Sequence, residues 1–203
     1  MIAIIDYGMG NLRSVQKGLE RAGYPAVIVT APEELEAARG VILPGVGSFG
    51  DTMTNLRGKG FDLAIRRVIE EGKPFLGICV GLQVLFDYGE EMGRHEGLRI
   101  FPGRVRRFTG DLKIPHMGWN RVMLKRKNPL FDGIPDRSYF YFVHSYYAET
   151  PAEDAVGGTT IYGVEFPCIM VRNNVFAVQF HPEKSSTLGL QVLANFGKLV
   201  ASC

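Results

Sequence analysis

Residues 1–90 alternate between short apolar runs and segments with helical periodicity. The runs have the length and apolar content of strands buried on both faces of a parallel sheet. Between them, apolar residues recur every three or four positions over 12–22 and 61–69, and Gly23 and Gly72 follow as stop signals. This alternation predicts a parallel sheet with helices on its faces. The apolar runs are 2–5, 26–30, 41–43 and 74–79.

The pattern changes between about residues 97 and 183. Helical periodicity fades, and β-branched and aromatic residues dominate, which predicts antiparallel strands and hairpins. A tight turn is expected at Asn173 and Asn174, and apolar residues spaced as in a helix return over 190–200. We therefore expect an α/β fold with an added antiparallel β region, in a single domain spanning 1–203. The predicted strands are 103–108, 117–124, 139–147, 159–162, 168–171 and 175–180.

Composition excludes several classes of protein. The 203 residues have ordinary hydrophobic and charged fractions, 46% and 22%, and a net charge of only +2, so we expect no nucleic-acid partner. The basic clusters 104–107 and 125–127 fit solvated strand and turn faces, or else a phosphate or partner contact. The N-terminus lacks the basic region of a signal peptide, and no apolar run is long enough to span a bilayer. We expect a cytoplasmic protein without membrane contact.

Cysteine usage argues in the same direction. Cys79, Cys168 and Cys203 show neither zinc-site spacing nor an even-numbered disulfide framework, so we expect reduced thiols. No histidine pair has the spacing of a metal-binding helix. We therefore expect no catalytic metal and no cofactor.

Cys79 is the first candidate for chemistry. It ends an apolar strand, is bracketed by Gly77 and Gly81, and precedes a predicted helix, which is typical of a nucleophile elbow. The helix N-terminus would stabilise a thiolate, and the backbone N–H of Val80 would donate to the oxygen of a carbonyl under attack. The alternative is a buried core cysteine, since free cysteine behaves as a small hydrophobe.

The second candidate is His181, at the carboxyl end of the strand predicted over 175–180. Pro182 forces its neighbour into an extended conformation, and in an extended segment residues two apart point the same way. Glu183 can then orient one imidazole nitrogen while the other faces Cys79, as nucleophilic catalysis requires. A surface histidine beside a solvated glutamate is the alternative, but together with the Cys79 elbow the segment predicts a Cys-His-Glu triad.

Residues 77–83 and 179–183 together resemble the motifs of the class I glutamine amidotransferases. The resemblance implies a flavodoxin-like three-layer core and an enzyme that hydrolyses glutamine through Cys79, His181 and Glu183. It also implies that residues 44–47 form an oxyanion strand, with Val46 as the second backbone donor beside Val80. Substrate contacts are implied for Gly47, Gln83, Ser145 and Tyr146.

Within that family, residues 5–15 and 115–120 resemble the glutaminase subunits of imidazole glycerol phosphate synthases. The resemblance implies a heterodimer with a cyclase subunit that uses the ammonia in histidine biosynthesis. Trp119 is either a buried strand aromatic or an interface residue, and we favour the interface. The interface residues expected are Asn11, Met117, Trp119 and Asn120.

Two other functions stay open at this point. The chain could be a non-catalytic flavodoxin-like scaffold with a vestigial triad, or a thiol amidase that works without a partner. Labelling of Cys79 by a glutamine-analogue electrophile would argue against the scaffold. Partner-independent hydrolysis of other amides would favour the amidase.

Overall fold

The computed structural model describes residues 1–202. Over that range the chain forms fourteen strands and five helices. The helices are α1 (Leu12–Arg21), α2 (Phe49–Gly58), α3 (Phe61–Glu70), α4 (Val80–Gln83) and α5 (Ser186–Ser202). The strands are β1 (Ile2–Ile5), β2 (Ala26–Val29), β3 (Gly40–Gly45), β4 (Phe75–Cys79), β5 (Tyr88–Gly89), β6 (His95–Glu96), β7 (Arg104–Arg107), β8 (His116–Arg121), β9 (Met123–Leu124), β10 (Tyr139–His144), β11 (Tyr146–Glu149), β12 (Val156–Tyr162), β13 (Val164–Arg172) and β14 (Val175–Val178).

The main sheet has eight strands in the order β2-β1-β3-β4-β14-β13-β12-β9. Its first five strands pair in parallel, and their order is that of a doubly wound, flavodoxin-like sheet. Strand β1 is buried at every position, as a strand covered on both faces must be. The predicted α/β class and parallel core are confirmed.

Helices cover this sheet in two layers. Helix α1 packs with α5, and α2 packs with α3. The connection from β1 to β2 and the one from β3 to β4 run in opposite directions across the sheet, and right-handed crossovers in opposite directions put their helices on opposite faces. The core therefore has three layers. No helix within residues 1–202 is long and apolar enough to cross a membrane.

Strand β14 positions the second half of the site. It comes from the antiparallel region, yet it inserts beside β4 in parallel, with Val178 opposite Ile78. The carboxyl ends of β4 and β14 therefore lie side by side at one edge of the sheet, where α/β proteins bind their ligands. Residues that follow Val178 are brought close to Cys79 by this pairing alone.

The antiparallel region is more divided than the sequence predicts. Strands β13, β12 and β9 extend the main sheet, while β10 and β8 form a two-stranded sheet and β11, β7, β5 and β6 a four-stranded one. The single strand predicted over 139–147 is two strands in different sheets, separated at Ser145. The strand predicted over 117–124 is likewise broken at Val122, whose N–H donates to Ser138 O at 2.9 Å.

Two helices differ from the expectation. Helix α2 was not predicted; its N-cap is Ser48, whose hydroxyl accepts from the Asp51 N–H. The helix expected after Cys79 is only the four-residue α4. It stops because the carbonyls of Val84 and Leu85 accept hydrogen bonds from Leu98 and Ile100 rather than from the next helical turn. A single turn has a small dipole, so the helix contributes less to a thiolate than expected.

Candidate active site

The Cys79 elbow is formed by backbone strain and two glycines. Cys79 has φ 56° and ψ −110°, in the region that L-residues avoid. A Cβ on Gly81 would overlap the carbonyl oxygen of Leu43, and one on Gly77 would lie 2.5 Å from the Gly81 carbonyl oxygen. Only glycine therefore fits on either side of the turn. Cys79 is nearly buried but lines a cavity.

His181 and Glu183 form a buried pair. The Nδ1 of His181 lies 2.9 Å from Oε1 of Glu183, and the two side chains are only 2% and 1% exposed. The contact is the predicted one, but its geometry is not. Residues Pro182–Lys184 form one turn of 3₁₀ helix instead of an extended segment, and the turn brings the carboxylate back to the imidazole.

The charge on His181 is stabilised from both sides. Burial alone would lower the pKa of its imidazole, but the interactions with Cys79 and Glu183 outweigh burial and raise the pKa to about 10. Its Nε2 has no well-aligned hydrogen-bond partner among residues 1–202, and neither has Oε2 of Glu183. The raised pKa favours the imidazolium form of His181 at neutral pH, and Nε2 is the ring nitrogen that Glu183 does not use.

Cys79 and His181 share a cavity of about 430 Å³. The residues predicted for the oxyanion hole and the substrate also line it: Val46, Gly47, Val80, Gln83, Ser145 and Tyr146. A larger cavity of about 840 Å³ lies between residues 124–136 and α5, but its lining contains neither cysteine nor histidine. The chemistry favours the smaller cavity. Within residues 1–202, no group of three or more His, Cys, Asp or Glu side chains is arranged to hold a metal ion.

Two charged residues that line this cavity were not predicted from the sequence as site residues. Glu91 and Lys184 line it with opposite charges, and Oε2 of Glu91 is fixed by the backbone N–H of Phe49 at 2.8 Å. The sequence around Glu91 is a polar loop without periodicity, so nothing local distinguishes this carboxylate from its neighbours. An ammonium group entering the cavity could pair with it.

The side-chain NH₂ group of Gln83 is fully used in hydrogen bonds within the protein. Its Nε2 donates to the Tyr146 carbonyl at 3.0 Å and to Oε1 of Gln179 at 3.1 Å, which uses both amide hydrogens. Its Oε1 makes no hydrogen bond among the described residues and is the group left for a ligand in the cavity. Gln179 also lies against the nucleophile and was not singled out in the sequence.

His116 and His144 form a second buried pair beside the cavity. Nδ1 of His144 lies 2.7 Å from the Tyr146 carbonyl, so Nδ1 must be the protonated nitrogen and Nε2 the acceptor. Nδ1 of His116 then donates to that Nε2 at 2.9 Å. Burial lowers the pKa of His116 to about 4 and that of His144 to about 3. Both imidazoles are neutral at physiological pH.

The four expected interface residues divide into two pairs. Met117 and Trp119 lie on one face of β8 and are 62% and 52% exposed. Asn120 donates instead to the Ile161 carbonyl at 2.9 Å and contacts Nε2 of His116 at 3.2 Å. Asn11 contacts the triad, since its Nδ2 lies 3.3 Å from Oε1 of Glu183. Trp119 is thus not a buried core aromatic.

The sequence of the chain is similar to known proteins of one family. The family model "Glutamine amidotransferase class-I" matches residues 3–199. The chain is 58% identical to the imidazole glycerol phosphate synthase subunit HisH of Moorella thermoacetica, over 98% of this chain and 95% of the relative. It is 54% identical to the subunit of the same name from Desulfitobacterium hafniense, over the same shares.

Solved structures support the fold. A structure described as a glutamine amidotransferase aligns with a TM-score of 0.77 at 21% identity, covering 99% of this chain and 100% of the other. The structure of PurLQS from Thermotoga maritima aligns with the same TM-score at 19% identity, covering 99% and 97%. At these identities the likeness concerns the fold alone.

Proposed function

The chain belongs to the class I glutamine amidotransferases, and from that membership we propose that it is the glutaminase subunit of an imidazole glycerol phosphate synthase. It hydrolyses the side-chain amide of glutamine, and the ammonia goes to a cyclase subunit in histidine biosynthesis. The observation that supports this most is the shared cavity of Cys79 and His181, with Glu183 holding the imidazole from behind. A nucleophile, a base and an orienting carboxylate are the groups that amide hydrolysis needs.

The first half of the reaction acylates Cys79. The thiolate Sγ attacks the amide carbon; the C–S bond forms and the carbonyl π electrons move to the oxygen. His181, as imidazolium, gives its Nε2 proton to the amide nitrogen as the C–N bond breaks, and ammonia leaves. The raised pKa of His181 keeps that proton available at neutral pH. The product is a γ-glutamyl thioester on Cys79 and a neutral imidazole.

The second half releases glutamate. The neutral His181 takes a proton from water while the water oxygen bonds to the thioester carbon. The C–S bond then breaks, which returns the thiolate of Cys79 and the imidazolium of His181. Glu183 stabilises the imidazolium each time it forms, through its 2.9 Å contact with Nδ1.

We assign the oxyanion donors to the backbone N–H groups of Val80 and Val46. Gly45 pairs with Cys79 in the sheet register, so Val46 follows directly beside the nucleophile. The left-handed φ of 101° at Gly47 lets the chain turn away immediately afterwards. Loss of one such donor costs on the order of 10²–10³ in rate.

The substrate is held, in this proposal, by groups around the same cavity. Oε1 of Gln83 accepts from the amide of the substrate, and Glu91 pairs with its α-ammonium group. Gly47, Ser145 and Tyr146 contribute backbone contacts along the cavity wall. An amino acid with a side-chain amide can use both the contact with Gln83 and the contact with Glu91. An amide without an ammonium group can use only the first.

The cyclase partner binds the face that presents Met117 and Trp119. Large exposed apolar side chains on one strand face are a common feature of protein interfaces. Asn11, also expected at the interface, contacts Glu183. We extend the proposal to one amidotransferase domain over 1–203 and to a cytoplasmic location, where the thiol stays reduced.

A glutaminase assay with and without a candidate cyclase tests the function. Wild-type protein should release glutamate from glutamine, faster with the cyclase and its ligand, and Cys79→Ala should release none. Labelling by a glutamine-analogue electrophile should occur at Cys79 and disappear in the variant. A protein that neither releases glutamate nor is labelled at Cys79 would favour the scaffold. Hydrolysis of other amides without a partner would favour a free-standing amidase.

A further inference from the structure

Two buried glutamines connect the nucleophile to one backbone carbonyl. Gln179 is fully buried, and its Nε2 lies 3.6 Å from Sγ of Cys79. Its Oε1 accepts from Nε2 of Gln83 at 3.1 Å, and the same Nε2 donates to the Tyr146 carbonyl at 3.0 Å. The chain of contacts therefore runs from the Tyr146 carbonyl through both amides to the sulfur.

The orientation of both amides follows from the carbonyl. A backbone carbonyl only accepts, so Gln83 must present its NH₂ group to Tyr146. The second hydrogen of that NH₂ group then points at Gln179, whose side-chain oxygen must accept it. Its NH₂ group is left to face Cys79. The carbonyl itself is held by a second donor, Nδ1 of His144 at 2.7 Å, so the arrangement has little freedom to reverse.

The titratable groups that interact with Cys79 are His181 and Tyr7. Two uncharged polar groups also contact the sulfur, and they favour opposite protonation states. The Val143 carbonyl lies 4.0 Å from Sγ and can only accept, so it favours the thiol. The Gln179 amide can only donate at this position, so it favours the thiolate, and donation to a charged acceptor is stronger than donation to a neutral one. With only a single helical turn after Cys79, a side-chain donor has more to contribute.

We propose that Gln179 is a catalytic hydrogen-bond donor, which stabilises the Cys79 thiolate and keeps the sulfur in line with the cavity. The proposal rests on Cys79 as the nucleophile of the proposed function. It distinguishes two roles for two similar residues. Gln83 contacts the substrate through Oε1, and Gln179 acts on the attacking sulfur without touching the substrate.

Alkylation of Cys79 by iodoacetamide across a pH range tests the proposal, with peptide mapping to isolate this thiol. Gln179→Met removes the donor at similar length, and should move the midpoint of the rate profile upward by about one pH unit. Gln179→Glu still accepts from Gln83 but sets a carboxylate against the sulfur, and should move it further. At the alkaline plateau the Met variant should react at least as fast as wild type, because a less stabilised thiolate is more nucleophilic.

The control variant is Asn195→Leu. Asn195 is a buried amide that donates to the Leu130 and Asp132 carbonyls and does not line this cavity. It should lower the melting temperature and leave the alkylation midpoint in place. Profiles of both Gln179 variants that coincide with wild type would overturn the proposal. So would a rate lowered by the same factor at every pH, which would mean a structural role only.

A measurement on wild-type protein covers the case in which both variants fail to fold. The side-chain amide protons of Gln179, observed by NMR, should titrate with the same midpoint as Cys79 alkylation, and should lose that titration in Cys79→Ala. Amide resonances that do not respond to the sulfur would overturn the proposal. Alkylation and NMR report on the sulfur whatever the substrate is, so these outcomes are separate from failure of the glutaminase assay.

Discussion

The Nδ2 of Asn11 donates to Oε1 of Glu183 over 3.3 Å, so the loop before α1 directly contacts the acid of the triad. The same carboxylate oxygen accepts from Nδ1 of His181 at 2.9 Å. Glu183 Oε1 thus has two donors that fix its position, while Oε2 has none among the described residues. A residue expected at the partner interface is in contact with the proposed catalytic triad.

Replacing Asn11 by Ala should lower kcat on the order of tenfold and leave KM nearly unchanged, because a hydrogen bond to a charged group is lost at a residue that does not touch the substrate. Steady-state glutaminase kinetics in the presence of the cyclase check this. Gln16→Ala on α1, which loses contacts with the Ala26 carbonyl and the Arg13 guanidinium but none with Glu183, is the control. A rise in KM with unchanged kcat would contradict the positioning role.

Replacing Glu183 by Gln should narrow the active pH range from the alkaline side. The pKa of His181 is raised to about 10 by Cys79 and Glu183, so the imidazolium that protonates the leaving amide nitrogen in the proposed reaction persists until the pH approaches that value. Removing one of its two stabilising partners lowers that pKa, and activity should then fall at a lower pH. The pH dependence of kcat/KM measures the shift, and an alkaline limb that stays in place would be inconsistent with it.

The raised pKa of His181 also makes the folded protein less stable as the pH rises. A histidine whose pKa is raised on folding contributes stability that is fully present below its ordinary pKa of about 6.5, and that contribution is lost as the pH rises through about 10. The Glu183→Gln variant should therefore show less loss of unfolding free energy than wild type between pH 7 and pH 10. Equilibrium urea unfolding at the two pH values measures the difference.

The parallel half of the fold was predictable because its signals are local. A strand covered on both faces is a continuous apolar run, and Gly77 is required by the backbone of Gly81 in the same short segment. The contact between His181 and Glu183 followed from the same kind of information, since the two residues lie two apart in the sequence. Each of these features is present within a short segment of the sequence.

Gln179 and Glu91 could not be predicted, for a common reason. Gln179 directly follows the apolar strand β14, and its partner depends on the parallel pairing of β14 with β4. Glu91 lies in a loop whose position depends on the hydrogen bond from Phe49. The short α4 is a third case, because its end is set by Leu98 and Ile100. Contacts between distant segments determine all three.

The His116–His144 pair should make the protein sensitive to acid. Their pKa values are lowered to about 4 and about 3 in the folded state, so the unfolded chain binds more protons as the pH falls below about 6.5. Stability is then full above about pH 6.5 and is lost as the pH falls towards the folded pKa values. Between pH 7.5 and pH 5 we expect a loss on the order of 2 kcal/mol from each histidine of the pair.

Urea unfolding at these two pH values checks this with two variants. His116→Phe removes one titrating group, so its stability should depend less on pH than that of wild type, even though it is less stable at pH 7.5. Phe142→Leu, a neutral change in a side chain that stacks on His116, should lower the stability equally at both pH values. A His116→Phe variant with the pH dependence of wild type would count against the assignment.

Replacing Trp119 by Ala should weaken cyclase binding on the order of 30-fold or more, without changing the melting temperature. The side chain is 52% exposed beside Met117, which is 62% exposed, so its removal leaves the core intact, whereas a central aromatic at an interface contributes about 2 kcal/mol or more. Leu63 on α3 is 69% exposed, and Leu63→Ala is the matched control, expected to bind as wild type. Calorimetric titration with the cyclase measures both variants. If Trp119→Ala bound as tightly as Leu63→Ala, the partner would have to dock elsewhere. Asn11 would then no longer be expected to link the interface to Glu183.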